Sequence, residues 1–275
     1  MQKMDKLNFL TAGRPNISAT TLSALDDLRK LKLDGLELEY VHGLRKNLDL
    51  AKQIKESKKD LILTAHGPFF INLNSFEQDK IDASIRRIVD SAEQAYLSGA
   101  YSLTFHAGFY QGMNKEETYK IIKKNLKKIV DEVKSKNLKI WIRPETTGKE
   151  TQFGSLDEII SLSQEIDQVR PCVDFSHIHA RSSGKFNTKQ EFDDLLEKIE
   201  KGLGKEALSN LHMHLSGINY STKGERNHLN LADSDFNYKE LMEALKDYKV
   251  KGAIVCESPN IEKDALLMKK YYYSL

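Results

Sequence analysis

Histidine and carboxylate residues gather where an apolar run of the sequence ends. The stretch "RPCVDFSHIHAR", residues 170–181, begins like a buried strand and ends with Asp174, His177 and His179. Imidazole nitrogens and carboxylate oxygens together form the ligand set of zinc, manganese and iron. The sequence therefore predicts Asp174 and His177 as metal ligands. His179 is interpreted as a residue that supports a ligand or donates to a phosphate.

The same residue types end five other strand-like runs, and one more histidine follows the seventh run. In chain order these residues are His66, His106, Glu145, His214, His228 and Glu257. Asp and Glu account for 40 and His for 8 of the 275 residues, so such a series at consecutive strand ends is improbable by chance. One ion does not use so many ligands, and a carboxylate can bridge two ions, so we expect more than one metal. His42 and His212 are interpreted as structural histidines.

Eight short apolar runs alternate with amphipathic, charge-rich segments. The runs are "LNFLTAG", "DGLELEY", "LILTAHG", "YSLTFHAG", "LKIWIRPE", "VRPCVDF", "NLHMHLSG" and "KGAIVCES". Segments such as "DKIDASIRRIVDSAEQAYLSGA" repeat Ile, Leu and Val every three or four residues, which is typical of helices. This alternation predicts an α/β protein with a single (β/α)₈ TIM barrel over residues 1–275. The carboxyl ends of barrel strands converge on the active site, so the histidines and carboxylates should meet there.

An open, doubly wound sheet is the rival architecture. Its usual signature is a Gly-rich phosphate loop after the first strand. The corresponding stretch, "TAGRPN", contains a single glycine. This difference favours the barrel.

The composition is that of a globular protein, with 40% hydrophobic and 30% charged residues. No apolar run approaches the roughly 18 residues that a membrane helix needs. The stretch "MQKMDKLNFLTAG" also lacks the apolar core of a signal peptide. We therefore expect a cytoplasmic protein without a membrane partner. Cys172 and Cys256 lie in apolar runs and are predicted to be buried thiols outside any disulfide.

The two-residue alternation of a strand also predicts an inward carboxylate. In "LELEY", Glu37 and Glu39 lie on one face, and in "IWIRPE", Arg143 shares a face with Glu145. A buried carboxylate needs a partner. We expect Glu37 or Glu39 to pair with Arg143 and to orient the metal ligands.

These residues resemble those of the endonuclease IV family, zinc-dependent abasic-site endonucleases with a xylose-isomerase-like barrel. The resemblance extends from "FLTAGRP" to "VCESPNIEKDALL". Its most specific motifs are "AHGPFFINL", "FHAG", "RPETTG", "VDFSH", "MHLSG" and "CESP". The second strand, "LELEYVHGLR", is most similar to archaeal members.

The resemblance implies two or three zinc ions, with manganese as the alternative metal. It implies that Glu145 bridges two ions and that His66 and His106 complete the first of them. The implied ligands of the second ion are Asp174, His214 and Glu257. His177 and His228 would hold a third ion.

The sequence departs from the family at this third ion. The family places an aspartate two residues before the final histidine, where this chain has Arg226. An arginine cannot bind a cation. We expect a firm two-metal core and a third site that is weak, differently ligated or empty. Glu225 can replace the aspartate if the loop shifts, and Arg226 then holds a substrate phosphate. Asp233 and Asp235 are more distant candidates.

The resemblance also implies a reaction and a partner. The reaction is hydrolysis of the DNA phosphodiester 5′ to an abasic site by a metal-bound hydroxide, a step of base excision repair, with Glu145 and Glu257 as catalytic residues. The partner is double-stranded DNA that contains abasic sites, bound by a monomer. The implied DNA-binding residues are Arg45, Phe69, Phe70, Arg181, Lys223 and Arg226. Solvated surface charges and local loop packing are the alternative interpretations of these residues.

A sugar isomerase or epimerase of the same barrel superfamily is the alternative enzyme. Such enzymes hold one ion with a four-residue core, for which this chain has Glu145, Asp174, His214 and Glu257. The residues that favour the nuclease are His66, His106 and His228. A catalytically inactive barrel that only binds nucleic acid is a third interpretation, which the complete ligand core disfavours.

Overall fold

Eight strands form one sheet in the computed structural model, which describes residues 4–275. In chain order they are β1 (Leu7–Ala12), β2 (Gly35–Glu39), β3 (Ile62–His66), β4 (Ser102–Phe105), β5 (Trp141–Pro144), β6 (Cys172–Asp174), β7 (Leu211–Leu215) and β8 (Gly252–Cys256). Neighbouring strands follow the order β5-β4-β3-β2-β1-β8-β7-β6. The pairs with a resolved register, such as β1 with β8 and β4 with β5, are parallel.

A short bridge brings the end of this order back to its beginning. Ile142 of β5 forms a parallel bridge with Val169, which lies just before β6. The backbone N–H of Ile142 donates to the carbonyl of Gln168 at 3.1 Å, and that of Arg170 donates to Ile142 at 3.2 Å. The sheet is therefore a nearly closed barrel of parallel strands, and the predicted TIM-barrel fold is confirmed.

Helices connect the barrel strands. They are α1 (Thr21–Leu31), α2 (Leu48–Lys58), α3 (Gln78–Leu97), α4 (Lys115–Ser135), α5 (Leu156–Glu165), α6 (Phe175–Arg181), α7 (Lys189–Leu203), α8 (Lys205–Leu208), α9 (Tyr238–Asp247) and α10 (Glu262–Ser274). Capping boxes begin α1, α5 and α7 and satisfy backbone donors of their first turns. Among residues 4–275, none of the helices has both the length and the apolar character needed to cross a bilayer.

Two short antiparallel pairs extend from the loops. Gly108–Phe109 pairs with Gln152–Phe153, and Gly217–Ser221 pairs with Gly224–Leu229. The second pair is called the β7–β8 hairpin below, because it lies between those two strands. It carries His228 and Arg226.

The core follows from the periodicity of the strands and helices. β7 and β8 are buried along their whole length. In α4, Ile122, Leu126, Ile129 and Val133 recur at three- and four-residue intervals and are buried. Each such side chain contributes roughly 1.5–3 kcal/mol by leaving water. This packing holds the strand ends that carry the site.

Contacts between Cα atoms group the chain into two units. The first comprises Leu38–Thr147 and Thr151–Pro171, and the second comprises the described residues up to Glu37, Gly148–Glu150 and Cys172–Leu275. The expectation of one domain over residues 1–275 stays a prediction, and residues 1–3 lie outside the described part. Cys172 and Cys256 are buried and outside any disulfide, as predicted. Burial raises the pKa of the Cys256 thiol to about 12.

Candidate metal centre

Three predicted ligands of the first unit form a compact group. His66 is the last residue of β3, whereas His106 and Glu145 directly follow β4 and β5. Nε2 of His66 lies 3.4 Å from Oε2 of Glu145, and Nε2 of His106 lies 3.3 Å from Oε1. Ligand atoms around a tetrahedral zinc ion, each about 2.1 Å from the metal, are about 3.4 Å apart. The spacing of this group therefore fits a metal ion.

Hydrogen bonds orient the members of this group. Nδ1 of His66 donates to the carbonyl of Gly67 at 2.7 Å, which leaves the Nε2 lone pair directed to Glu145. The hydroxyl of Thr104 donates to Oε2 of Glu145 at 3.3 Å. The Glu145 side chain is 1% exposed, so its charge requires a nearby cation or donors.

A second group belongs to the second unit. Asp174 is the last residue of β6, His214 is the last but one of β7, and Glu257 follows β8. Nδ1 of His214 lies 3.4 Å from Oε1 of Glu257. One ligand atom from each of the three residues lies within 4.8 Å of the others. Asp174 and His214 are wholly buried, whereas the Glu257 side chain is 13% exposed. This group also has the chemistry and spacing of a metal site.

A third group contains His177, Glu225 and His228. Oε2 of Glu225 lies 3.5 Å from Nε2 of His177, and Oε1 lies 3.9 Å from Nε2 of His228. Nδ1 of His177 faces Oδ2 of Asp174 at 3.2 Å, and Nδ1 of His228 donates to the carbonyl of Glu257 at 3.2 Å. Both rings thus direct Nε2 to Glu225. The separations between Glu225 and the two imidazoles exceed those within the first group, which suits an ion that is bound more weakly.

The surroundings of His228 favour its neutral form, which can bind a cation. Burial, together with the neighbouring His177, lowers the pKa of His228 below its ordinary value. The imidazole is therefore neutral near pH 7 and has a lone pair to offer.

A β-bulge explains why Glu225 faces this group. In the β7–β8 hairpin, Asn219 is opposite Asn227, but Tyr220 is opposite Glu225, so Arg226 is an extra residue. An extra residue shifts the alternation of side chains by one position and re-aims them. Glu225 consequently shares a face with His228, and Arg226 is exposed. This register brings Glu225, and not Arg226, close to His177 and His228, and the replacement of the family's aspartate by Glu225 stays a prediction.

A glycine makes room for Glu225. The backbone N–H of Glu225 donates to the carbonyl of Gly148 at 2.9 Å. A Cβ added to Gly148 would lie 2.6 Å from both Cβ and Oε2 of Glu225. Arg181 donates to the carbonyl of Lys149 at 2.5 Å and holds the same loop. The close approach of loop and hairpin therefore depends on the absence of a side chain at position 148.

Glu37 is wholly buried, which confirms the predicted inward carboxylate. Its Oε2 lies 3.0 Å from Nε2 of His212, and its Oε1 lies 3.0 Å from Nε2 of His214. Burial raises the pKa of Glu37, but the two adjacent imidazoles lower it by more, so the pKa lies below its ordinary value. His212, interpreted from the sequence as merely structural, is thus a partner of Glu37. Its two-residue spacing to His214 on one strand is the signal that points to this role.

Arg143 and Glu39 differ from each other in burial. Arg143 is buried and donates to the carbonyl of Pro171 at 2.8 Å, whereas Glu39 is exposed. The pairing of Arg143 with Glu37 or Glu39 stays a prediction.

His179 is not available as a phosphate donor. Its Nδ1 donates to the carbonyl of Lys185 at 2.8 Å, and its Nε2 faces Asp235 at 3.3 Å. The ring also packs edge-on against Tyr220 and Phe236. It therefore supports the packing of the β7–β8 hairpin, and Asp235 is its partner.

The predicted DNA-binding residues lie at the surface to different degrees. Arg45, Lys223 and Arg226 are exposed, whereas Arg181 is half-buried. Phe69 and Phe70 are 58% and 65% exposed. The ring of Phe69 lies 5.8 Å from that of His66, beside the first ligand group.

Residues 25–271 match the model of a family described as xylose isomerase-like TIM barrel. The chain belongs to this family. Among its relatives, an uncharacterized protein of Methanocaldococcus jannaschii is 46% identical over 275 residues, the full length of both chains. A probable endonuclease 4 of Aquifex aeolicus is 24% identical over 193 residues, which cover 68% of this chain and 67% of the relative. The resemblance to endonuclease IV is thereby confirmed.

A crystal structure of a D-tagatose 3-epimerase-like protein has the same xylose isomerase-like fold. Its TM-score is 0.73 at 20% identity, and the match covers 96% of this chain and 97% of that one. At this identity the likeness shows the fold alone. The same fold thus occurs in an epimerase-like protein and the relatives include a probable endonuclease, so the fold does not discriminate between the two activities and the side chains of the site must do so.

Proposed function

We propose that this chain is a metal-dependent endonuclease that hydrolyses the DNA backbone 5′ to abasic sites, and that it acts in base excision repair. The observation that carries the proposal is the first ligand group. His66 and His106 each present Nε2 to one oxygen of Glu145, at 3.4 and 3.3 Å. The single-ion core of a sugar epimerase does not use these two histidines.

The ligand chemistry supports zinc, with manganese as the alternative. Imidazole and carboxylate ligands at these spacings suit either ion. The first group would hold one ion firmly, and the group of Asp174, His214 and Glu257 would hold another. His177, Glu225 and His228 would hold a third, weaker ion.

The reaction adds the oxygen of water to phosphorus and breaks the bond between phosphorus and O3′. Ions held by these residues would lower the pKa of the attacking water and neutralise charge on the phosphate. The protein's own side chains hold and shield this chemistry. Glu145 is almost wholly buried and would hold the ions, whereas Glu257, whose side chain is 13% exposed, would accept the proton of the water. The departing O3′ ends as a hydroxyl.

Surface residues support a DNA partner. Phe69 and Phe70 are exposed apolar side chains, with Phe69 beside His66, and apolar wedges of this kind fill the gap left by a flipped nucleotide. Arg45, Lys223 and Arg226 would contact backbone phosphates. Lys46 is less suited to this role, because Asp90 and Glu93 bind it at 2.6 and 2.8 Å. We propose a monomer acting on double-stranded DNA.

The test is cleavage of a duplex that carries one abasic-site analogue by purified, zinc-loaded protein. We expect a single cut 5′ to the analogue that leaves a 3′-hydroxyl. Glu145→Gln should lower the rate by about 10²–10⁴-fold, as for loss of a group that acts in the transition state. Glu150→Gln is the matched control, because Glu150 is exposed in the loop after β5.

Assays of the same preparation distinguish the nuclease from the alternative enzyme. Epimerisation of a ketose such as D-tagatose, without cleavage of the DNA, would replace the nuclease proposal by a sugar epimerase with Glu145, Asp174, His214 and Glu257 as its core. DNA binding without either activity would indicate an inactive barrel.

A further inference from the structure

Glu37 is buried beside two imidazoles. It lies on β2, is 0% exposed, and has one carboxylate oxygen at 3.0 Å from each of His212 and His214. Both separations are ion-pair distances, and they are shorter than the separations within the ligand groups. The two imidazoles therefore compensate the buried carboxylate.

This contact reverses the orientation of His214 relative to other candidate ligands. His66, His177 and His228 turn Nδ1 to a carbonyl or carboxylate oxygen and keep Nε2 for the site. His214 turns Nε2 to Glu37 instead, and its Nδ1 faces Oε1 of Glu257 at 3.4 Å. The proton on Nε2 leaves the lone pair on Nδ1, because a neutral imidazole carries only one N–H.

The strand geometry explains why Glu37 meets both rings. His212 and His214 are two residues apart on β7, so their side chains lie on the same face. Their rings are 5.1 Å apart and inclined by 76°. Each ring thus directs one nitrogen to a different oxygen of the same carboxylate.

From this geometry we infer that Glu37 is a positioning residue that fixes the tautomer and ring orientation of His214, so that His214 binds a metal through Nδ1. His212 anchors the second oxygen of Glu37 and prevents the carboxylate from rotating. The inference rests on the metal site of the proposed function, but it does not depend on DNA as the substrate. A carboxylate behind a ligating histidine also raises the basicity of the ligand.

The test compares Glu37→Gln with Glu56→Gln in the absence of DNA. Both variants change a glutamate to its isosteric amide, but Glu37 is buried whereas Glu56 is exposed on α2. A glutamine keeps one acceptor oxygen and replaces the other by an N–H₂ donor, so it can accept from only one of the two rings. Competition with a chromophoric chelator should show zinc bound about 10–100-fold more weakly by Glu37→Gln and unchanged by Glu56→Gln.

A second measurement needs no variant. Nitrogen-15 NMR of the metal-free wild-type protein reports which ring nitrogen of each histidine carries the proton. We expect His214 as the Nε2–H tautomer, and His66 and His228 as the Nδ1–H tautomer. In Glu37→Gln, His212 or His214 should lose its single tautomer. A merely structural role of Glu37 would lower stability without moving these signals.

The outcomes separate this inference from the nuclease proposal. Zinc affinity that depends on Glu37, together with the Nε2–H tautomer of His214, supports the inference even if the protein does not cut abasic DNA. Wild-type affinity in Glu37→Gln, the Nδ1–H tautomer of His214, or no zinc binding by the wild type overturns it. If Glu37→Gln does not fold, the wild-type tautomer decides.

Discussion

Oε2 of Glu225 lies 3.5 Å from Nε2 of His177. On a regular strand, the residue that shares a face with His228 is two positions away, which is Arg226. The bulge in the β7–β8 hairpin brings Glu225 to that face instead. The register of the hairpin, and not only the residue types, therefore selects the third ligand group.

Glu225→Gln should weaken the binding of one metal ion and leave the others. We expect the number of ions bound at a free zinc concentration that fills the weak site to fall by one, because the amide lacks the negative charge that helps to bind a cation. Metal analysis after dialysis against a zinc buffer at that concentration measures this number. Arg226→Gln is the matched control one residue along the hairpin and should not reduce it. Three tightly bound ions in both the wild type and Glu225→Ala would contradict the assignment.

Gly148→Ala should displace the hairpin. The added Cβ would lie 2.6 Å from Cβ of Glu225, and overpacking of this kind costs about 1–3 kcal/mol. We expect a lower midpoint in urea unfolding and the same loss of one ion as in Glu225→Gln. Glu150→Ala changes an exposed side chain of the same loop and serves as the control. Normal stability with a full set of ions in Gly148→Ala would show that the clash is relieved elsewhere.

Arg226→Gln should weaken DNA binding rather than metal binding. Arg226 is exposed beside the third ligand group, where it can meet a phosphate. Loss of one phosphate contact should reduce the slope of log affinity against log salt by about 1. Binding to a fluorescent abasic duplex over a series of salt concentrations gives this slope. Lys52→Gln removes the same charge from helix α2, so it should leave the slope unchanged if the contact is specific to the hairpin.

Glu191 should make the stability of α7 depend on pH. Backbone N–H groups, that of Asn187 first, and the hydroxyl of Thr188 donate to this carboxylate and lower its pKa to about 2. Its unfolded value is about 4.3, so the stabilisation is present above that pH and is lost as the pH falls through the folded pKa.

Glu191→Gln should therefore lower the free energy of unfolding by about 1 kcal/mol at pH 7, as for a lost helix cap. The difference from the wild type should shrink between about pH 4.3 and 2. Urea unfolding at several pH values measures it. Glu197→Gln, on the exposed face of α7, is the control. A difference that stays constant down to pH 2 would exclude the capping carboxylate as its cause.

The fold was predictable because each barrel strand is a short apolar run with its own turn residues. The local alternation also placed His66 at the end of β3 and Asp174 at the end of β6, where the structure has them. Two strand ends differ from the predicted ones by one residue. His106 follows β4 by one residue, and His214 precedes the end of β7 by one.

The partners of buried groups were harder to predict. Alternation correctly turned Glu37 inward, but it did not select His212 as its partner, because that contact joins strands far apart in the sequence. The same limit applies to Lys46, whose ion pairs with Asp90 and Glu93 on α3 remove it from the set of available cations. Side-chain contacts across long loops depend on three-dimensional packing that one strand's pattern does not contain.

Because of the extra residue in the β7–β8 hairpin, the position of a residue in the sequence does not by itself determine which face of the hairpin its side chain occupies. If Glu225 binds a metal, the shift of one residue in the backbone register has changed which residue type faces the ion, and the displaced arginine is turned outward, where another molecule can reach it. Deleting Arg226 would put Glu225 two residues before His228, where regular alternation alone would turn both side chains to the same face.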